Sequence, residues 1–352
     1  MGEDATCRAK ARFPPHPNPP PSGGREFSSS PLVWRRKVSD KRKMVVLKDS
    51  TMREGLDVPG VALDIEQKRA LLIMLDEAQV AEAEIVAPGH FDRDLDALKD
   101  MGATGLRIKL SGLIYGHGPR FREQLNKAKG ILHRVDILIP LSDLRPPTGR
   151  DEKSRQMSEA LKAAGDMFGQ ASVGFPHATQ VEPDFLIDMC SQAALAGAER
   201  ITLYDTNGSS NPFTVADLVK QVRKIVQNVE LCFHAHNDLG MATANSVAAV
   251  MAGADCLDVT VNGLGDRAGN ASLEQVALAL VSIGVAPGIK LDYLRNLSKA
   301  VEAMTLIPVG QLAPVVGEFV FCHKSPSHLE TPTLFEAFDP TLVGTMRSLA
   351  KR

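Results

Sequence analysis

From Met44 onward, short runs of β-branched and apolar residues alternate with longer stretches whose apolar positions recur at helical spacing. The short runs predict strands at Val45–Leu47, Glu82–Ala87, Gly105–Leu110, Val135–Pro140, Ala171–Phe175, Arg200–Leu203, Glu230–Phe233 and Cys256–Val259. The longer stretches predict helices at Ile65–Glu77, Asp92–Met101, Arg120–His133, Arg150–Phe168, Pro183–Ala196, Thr214–Val226, Met241–Met251 and Ser272–Ile283. Within Pro183–Ala196, for example, Phe185, Leu186, Met189 and Ala193 fall on one helical face. Gly102, Gly197 and Gly253 each follow a predicted last turn, where a left-handed residue stops a helix. Eight strand–helix units in about 240 residues have the count and length of an α/β fold of the (β/α)8 TIM-barrel type. An open, doubly wound sheet is the competing architecture. Regular spacing and the lack of an early G-x-G-x-x-G favour the barrel.

The pattern changes at both ends. Residues 1–43 carry P-P-H-P-N-P-P-P-S-G-G, then S-S-S, then a basic cluster from Trp34 to Lys43. Such sequence buries too little apolar surface to offset its ordering entropy, and it lacks the apolar core of a secretory signal. It reads as a disordered leader before a barrel domain spanning 44–286. Residues 287–352 read as a mostly helical C-terminal extension, too small for its own core and expected to pack on the barrel or a partner subunit. Net charge is −2, which provides no global field for nucleic acid or an anionic membrane. The five scattered cysteines have no C-x-x-C spacing and fit a reducing, cytoplasmic setting.

Candidate chemistry concentrates at predicted strand exits, where TIM barrels place their active sites. His234 and His236 stand two apart at the end of the seventh strand, so their imidazoles point to one side. Satisfied core histidines would give the same letters, but a following Asn237-Asp238 supplies groups able to orient a ligand imidazole. The first strand exits into Asp49, Ser50, Thr51, Arg53 and Glu54, which also fit a turn with a surface ion pair. In a closed ring of eight strands the first and seventh are near neighbours. Glu54 can therefore join the two histidines in a mixed imidazole–carboxylate centre for a divalent metal (Mn2+, Mg2+ or Zn2+), with Arg53 as a fixed cation beside it. After the eighth strand, Asn262, Gly263 and Gly265 lie in a glycine-rich loop that opens a helix, a corner that can hold phosphate and so a cofactor such as acetyl-CoA. An ordinary βα turn is the plainer reading of that loop.

Three segments together resemble the DRE-TIM metallolyase superfamily, on its Claisen-condensing branch of 2-isopropylmalate, homocitrate and citramalate synthases. They are Met52-Arg53-Glu54-Gly55-Leu56-Asp57 with Lys68 after ten further residues, His234-Ala-His236-Asn-Asp-Leu-Gly240, and the run from Val261 to Glu274. The resemblance implies an acyltransferase that condenses acetyl-CoA with a small-molecule 2-oxo acid in amino-acid biosynthesis. It implies a metal held by Glu54, His234, His236 and Asn270, with Arg53, Glu84 and His328 as catalytic residues. Thr206 and His177, and with them Asp49 and Arg107, are expected at the 2-oxo acid. His328, in His323-Lys-Ser-Pro-Ser-His328, resembles a family histidine that reaches a neighbouring subunit, implying a homodimer.

Several positions depart from the family pattern. Met52 and Asp57 replace Leu and Gln, and Phe335 is the nearest match to the tyrosine that usually follows the tail histidines. At the fifth strand exit Pro176-His177 stands where synthases carry a Glu-Asp pair. That arrangement looks more like the acyl-CoA lyase branch, yet Gly265-Asp266-Arg267 lacks that branch's cysteine. A carbon–carbon lyase of the HMG-CoA lyase type, a phosphonate-accepting synthase and a non-catalytic binding protein are the competing readings.

Overall fold

The computed structural model describes residues 44–100, 105–141 and 149–349. The predicted leader and the Gly102 helix stop lie outside the described residues. Eight parallel strands close into a barrel in sequence order: β1 (Val46–Asp49), β2 (Glu82–Val86), β3 (Lys109–Tyr115), β4 (Arg134–Leu138), β5 (Ser172–Phe175), β6 (Arg200–Asp205), β7 (Glu230–Ala235) and β8 (Cys256–Val259). β1 pairs with β2 on one side and with β8 on the other, which seals the ring. The helices between them are α1 (Ile65–Glu77), α2 (Phe91–Asp100), α3 (Phe121–Ala128), α4 (Arg150–Phe168), α5 (Pro183–Leu195), α6 (Pro212–Ile225), α7 (Ala242–Ala252) and α8 (Leu273–Ser282).

Local chemistry sets the helix ends. Asp64 starts α1 with a reciprocal cap: its carboxylate accepts from Gln67 N at 2.8 Å, and Gln67 Oε1 accepts from Asp64 N at 2.9 Å. Asn211 and Thr214 cap α6 in the same way, with Pro212 in the first turn. Gly253 ends α7 at φ 119, a conformation a side chain would oppose.

The barrel interior is built in layers, and several inward positions are charged. Near the N-terminal end Arg200 makes two 2.9 Å bonds to Glu82 and one of 3.0 Å to Glu230. One layer higher, Lys48 on β1 lies 2.9 Å from Glu84, 2.9 Å from Asp136 and 3.2 Å from Asp258, all fully buried. Burial opposes its charge, but Asp136, Asp258 and Glu84 outweigh that and hold its ammonium well above the ordinary lysine range.

Two expectations shift. β3 begins at Lys109 and runs to Tyr115, so Arg107 precedes the strand. The segment after the barrel is less helical than its sequence pattern predicts. It contains α9 (Leu294–Thr305), the short α10 (Pro326–Glu330), and β9 (Cys322–His323) paired in parallel with β10 (Ser348–Leu349). Prolines at 308, 314, 326, 332 and 340 interrupt helical continuation there. α9 buries Leu294, Leu297 and Val301 completely and packs on α1 and the loop after β8. Each such apolar side chain is worth roughly 1.5–3 kcal/mol.

Candidate metal centre at the C-terminal mouth of the barrel

β7 directs His234 and the following His236 to the barrel mouth, and the turn after β1 brings Glu54 to them. His234 Nε2 and His236 Nε2 are 3.2 Å apart, and Glu54 Oε1 is 3.3 Å from His236 Nε2. These are ligand atoms of one buried group. Asn270 joins them, its Nδ2 3.1 Å from His234 Nε2 and its Oδ1 buried without a hydrogen-bond partner. His236 forms a bridge with Asn270, and Asn237 N donates to Gly269 O at 2.8 Å, so the loop after β8 is tied to the histidine strand.

The donor set fits a divalent cation. His234 Nδ1 lies 3.1 Å from Asp258, whose carboxylate is held below the usual range; burial opposes this, and Lys48 and His234 outweigh it. That contact assigns the proton to Nδ1 and leaves Nε2 as a lone pair. Burial lowers the basicity of His234. Burial, then His234 and the nearby Arg267 and Arg53, push His236 down to about 2. Two neutral imidazoles and a carboxylate thus converge on one point, a donor set that suits a divalent cation.

Arg53 flanks this group. It pairs with Glu54, and its Nε donates to Glu84 Oε2 at 2.7 Å. Glu84 also accepts from Lys48 Nζ at 2.9 Å and from Ser50 Oγ at 3.3 Å. Glu84 is fully buried beneath Arg53, so it acts as the brace that orients the guanidinium. A cleft of about 760 Å3, lined in part by Arg53, Leu56, Asp57, Lys68 and His90, opens beside it.

Thr206 and His177 meet at the rim, where His177 N donates to Thr206 Oγ1 at 2.8 Å. His177 adopts φ 59, a left-handed conformation after the fifth strand.

Other expected residues are elsewhere. Arg107 sits at the opposite end of the barrel, bound to Asp76 through its backbone N–H at 2.8 Å and its guanidinium at 3.1 Å. Asp49 alternates with the inward Lys48 and so faces outward. It accepts from Thr51 N at 3.0 Å and Thr51 Oγ1 at 2.7 Å, and burial pushes it up to about 7. Its work is to hold the β1 turn, because Thr51 Oγ1 in turn accepts from Val261 N at 2.8 Å.

The glycine loop is not an open phosphate cradle. Asn262 N donates to Glu274, Gly263 N to Thr260 O at 3.1 Å, and Leu264 N to Val261 O at 3.3 Å. Asn262 spends its side chain on Ser298 of α9, at 2.9 Å and 2.5 Å. Glu274, in the first turn of α8, already supplies the anion at that helix N-terminus. The loop's glycines serve close approach: a Cβ on Gly265 would collide with Asn270 Oδ1. His328 stacks on Phe335 at 3.7 Å and lies 3.5 Å from His323, within the tail of its own chain.

Lys48, Asp136, Asp258 and Tyr204 were missed at the sequence level. A charged residue in register with inward neighbours of an apolar barrel strand is the signal that marks the first three.

Residues 44–301 match the HMGL-like family. The chain belongs to the HMGL-like family. Similar HMGL-like relatives include 2-isopropylmalate synthase of Sulfurisphaera tokodaii, 34% identical over 318 residues, covering 88% of this chain and 82% of the relative. Homocitrate synthase 1 of Nostoc sp. is 35% identical over 315 residues, covering 87% and 82%. A putative (R)-citramalate synthase of Archaeoglobus fulgidus is 32% identical, covering 86% and 63%. Among solved structures, HMG-CoA lyase of Bacillus subtilis superimposes with a TM-score of 0.67 at 20% identity, over 76% of this chain and 95% of that one. At that identity the likeness is one of fold. The superfamily resemblance carried by the three sequence motifs and the eight-stranded barrel are thus both upheld. No helix among the described residues is long and apolar enough to cross a membrane.

Proposed function

We propose that this HMGL-like chain is an acyltransferase that condenses acetyl-CoA with a 2-oxo acid to give a 2-alkylmalate-type product. The observation that carries the reading is the convergence of Glu54 with the ring nitrogens of His234 and His236 beside a braced arginine. Glu54, His234, His236 and Asn270 would hold a divalent cation, which when bound supplies Lewis-acid polarisation of a ketone. The relatives' names point to the same chemistry.

The rest falls to the chain's own groups. Arg53, held by Glu84, presents its guanidinium where negative charge develops on the ketone oxygen as the acetyl carbon attacks. A base must first take a proton from the acetyl methyl group. His328, delivered by a second copy of the chain in a homodimer, is the first candidate, and His177 at the rim is the second. Water then cleaves the thioester, releasing CoA as a free thiol. Buried Asp258 fixes the His234 tautomer throughout.

The test is incubation with Mn2+, acetyl-CoA and a panel of 2-oxo acids while free thiol is followed. Ketone-dependent thiol release supports the reading. Formation of acetyl-CoA and acetoacetate from 3-hydroxy-3-methylglutaryl-CoA, with no thiol released on the panel, would replace it with the lyase reading.

A further inference from the structure

The Tyr204 hydroxyl is buried and has no hydrogen-bond partner. Tyr204 follows Arg200 and Thr202 on the inward face of β6, as alternation along a strand requires. Its ring lies 4.7 Å from the His234 ring. Gly174 on β5 makes room for it, since a Cβ there would stand 2.7 Å from Tyr204 Cε2. Leu113 of β3 and Leu138 of β4 pack with Tyr204 as a small apolar cluster separate from the main core. At the level of His234 the barrel therefore has two unlike walls. The β7–β8–β1 side carries the candidate metal ligands, and the β3–β4–β6 side presents Leu113, Leu138 and Tyr204, with the buried polar groups of Ser111, Asp136 and Thr202 two positions earlier on the same strands.

We propose that Tyr204 is a specificity-determining residue that receives the substituent of a short monocarboxylic 2-oxo acid, excludes a 2-oxo dicarboxylate, and donates its hydroxyl to the bound acid. The inference rests on the 2-oxo acid reading above and names the class of acid. A substrate whose keto and carboxylate oxygens occupy the metal wall must turn its substituent toward Tyr204, Leu113 and Leu138. The ring, set against Gly174 of β5 and His234 of β7, limits the length of that substituent. Among the described residues, a second carboxylate would find no spare cation there. Lys48 is shared among Glu84, Asp136 and Asp258, and Arg53 is shared between Glu84 and Glu54. Burying an unpaired carboxylate against those groups is unfavourable.

The test uses the full chain loaded with Mn2+ and titrates pyruvate, 2-oxoisovalerate and 2-oxoglutarate by calorimetry without acetyl-CoA. Thiol release on the same acids is measured separately. The expected result is that pyruvate or 2-oxoisovalerate binds about tenfold or more tighter than 2-oxoglutarate. Tyr204→Phe should weaken the preferred acid by roughly 5- to 20-fold, the loss of one hydrogen bond, with unchanged Mn2+ affinity and melting temperature. Tyr204→Ala should shift preference toward a longer 2-oxo acid. Equal or tighter binding of 2-oxoglutarate, no measurable binding of any acid, or a Tyr204→Phe variant identical to wild type would overturn the assignment. If the affinity order holds but no acid releases thiol, the specificity assignment stands and the condensation reading falls.

Discussion

Replacing Lys48 with methionine removes the one ammonium on which three buried carboxylates meet. In the native chain Glu84 keeps Arg53 and Asp258 keeps His234, but Asp136 has only Lys48 within hydrogen-bond distance, at 2.9 Å. Its Oδ1 is already unpaired. Removing one partner of a buried ion pair costs about 3–5 kcal/mol, because the remaining charge is stranded. At about 2–4 °C per kcal/mol for a domain of this size class, the melting temperature should fall by roughly 6–20 °C. The pH dependence has a definite sign. Lys48 leads in holding Asp136 and Asp258 below the usual carboxylate range against burial. Their contribution is full above the unfolded-state value and is lost as pH falls through the folded one. Without Lys48, burial raises both groups in the folded state. The variant then loses stability as pH rises, so its deficit relative to wild type should widen between about pH 5 and 8. Thermal unfolding of wild type, Lys48→Met, Asp136→Asn and the double variant measures this. The double variant should recover about 1–3 kcal/mol of coupling. A Lys48→Met protein that melts within about 2 °C of wild type at pH 8, or strict additivity with Asp136→Asn, would refute the reasoning.

Glu54→Ala and His236→Ala should each weaken Mn2+ binding by at least about 100-fold with an intact barrel, read by calorimetry and circular dichroism; retained stoichiometric metal removes the residue from the centre. Arg53→Lys should keep Mn2+ affinity within about threefold yet lower kcat by about 10²–10³, because a lysine cannot both meet Glu84 and present a planar guanidinium; an unchanged kcat separates Arg53 from the chemistry. Asp258→Asn should cost about 10–100-fold in Mn2+ affinity by loosening the His234 tautomer, and equal affinity would show that the contact does not matter. Gly265→Ala should displace Asn270, reduce metal affinity and lower the melting temperature, because its φ of 157 opposes a side chain there; a variant with native affinity would exclude Asn270 as a ligand.

The fold was legible where periodicity and charge agreed. α1 and α4 begin and end where their apolar spacing predicts, since Asp64 and Gly169 punctuate them. β1, β6 and β7 each run two residues past their predicted ends because Lys48-Asp49, Tyr204-Asp205 and His234-Ala235 remain in the ladder. A charged residue usually ends a buried strand; here it does not, because a barrel axis lets opposite charges from four strands meet. β3 was misplaced for a different reason. Ser111 and Gly112 break its apolar run, and Gly112 is needed because a side chain there would strike Val86 and Leu132. The histidine pair and Glu54 could be read from spacing and strand order. Asp49, Asn262 and Arg107 could not, because spacing does not reveal which partner a polar side chain will find first.

The buried charges tie the candidate metal ligands to the cation beside them. Lys48 contacts Asp258, which fixes His234, and Glu84, which fixes Arg53. One ammonium therefore sets the orientation of a candidate metal ligand and of the cation beside it. An apolar residue at position 48 would leave Glu84 to Arg53 and Ser50, and Asp258 to His234 and Cys232, with no cation joining the two. The charge network below the mouth thus restrains both groups, and it does so on rigid strands rather than on loops. The opposite wall needs no such restraint, because Leu113 and Leu138 carry no charge to misplace.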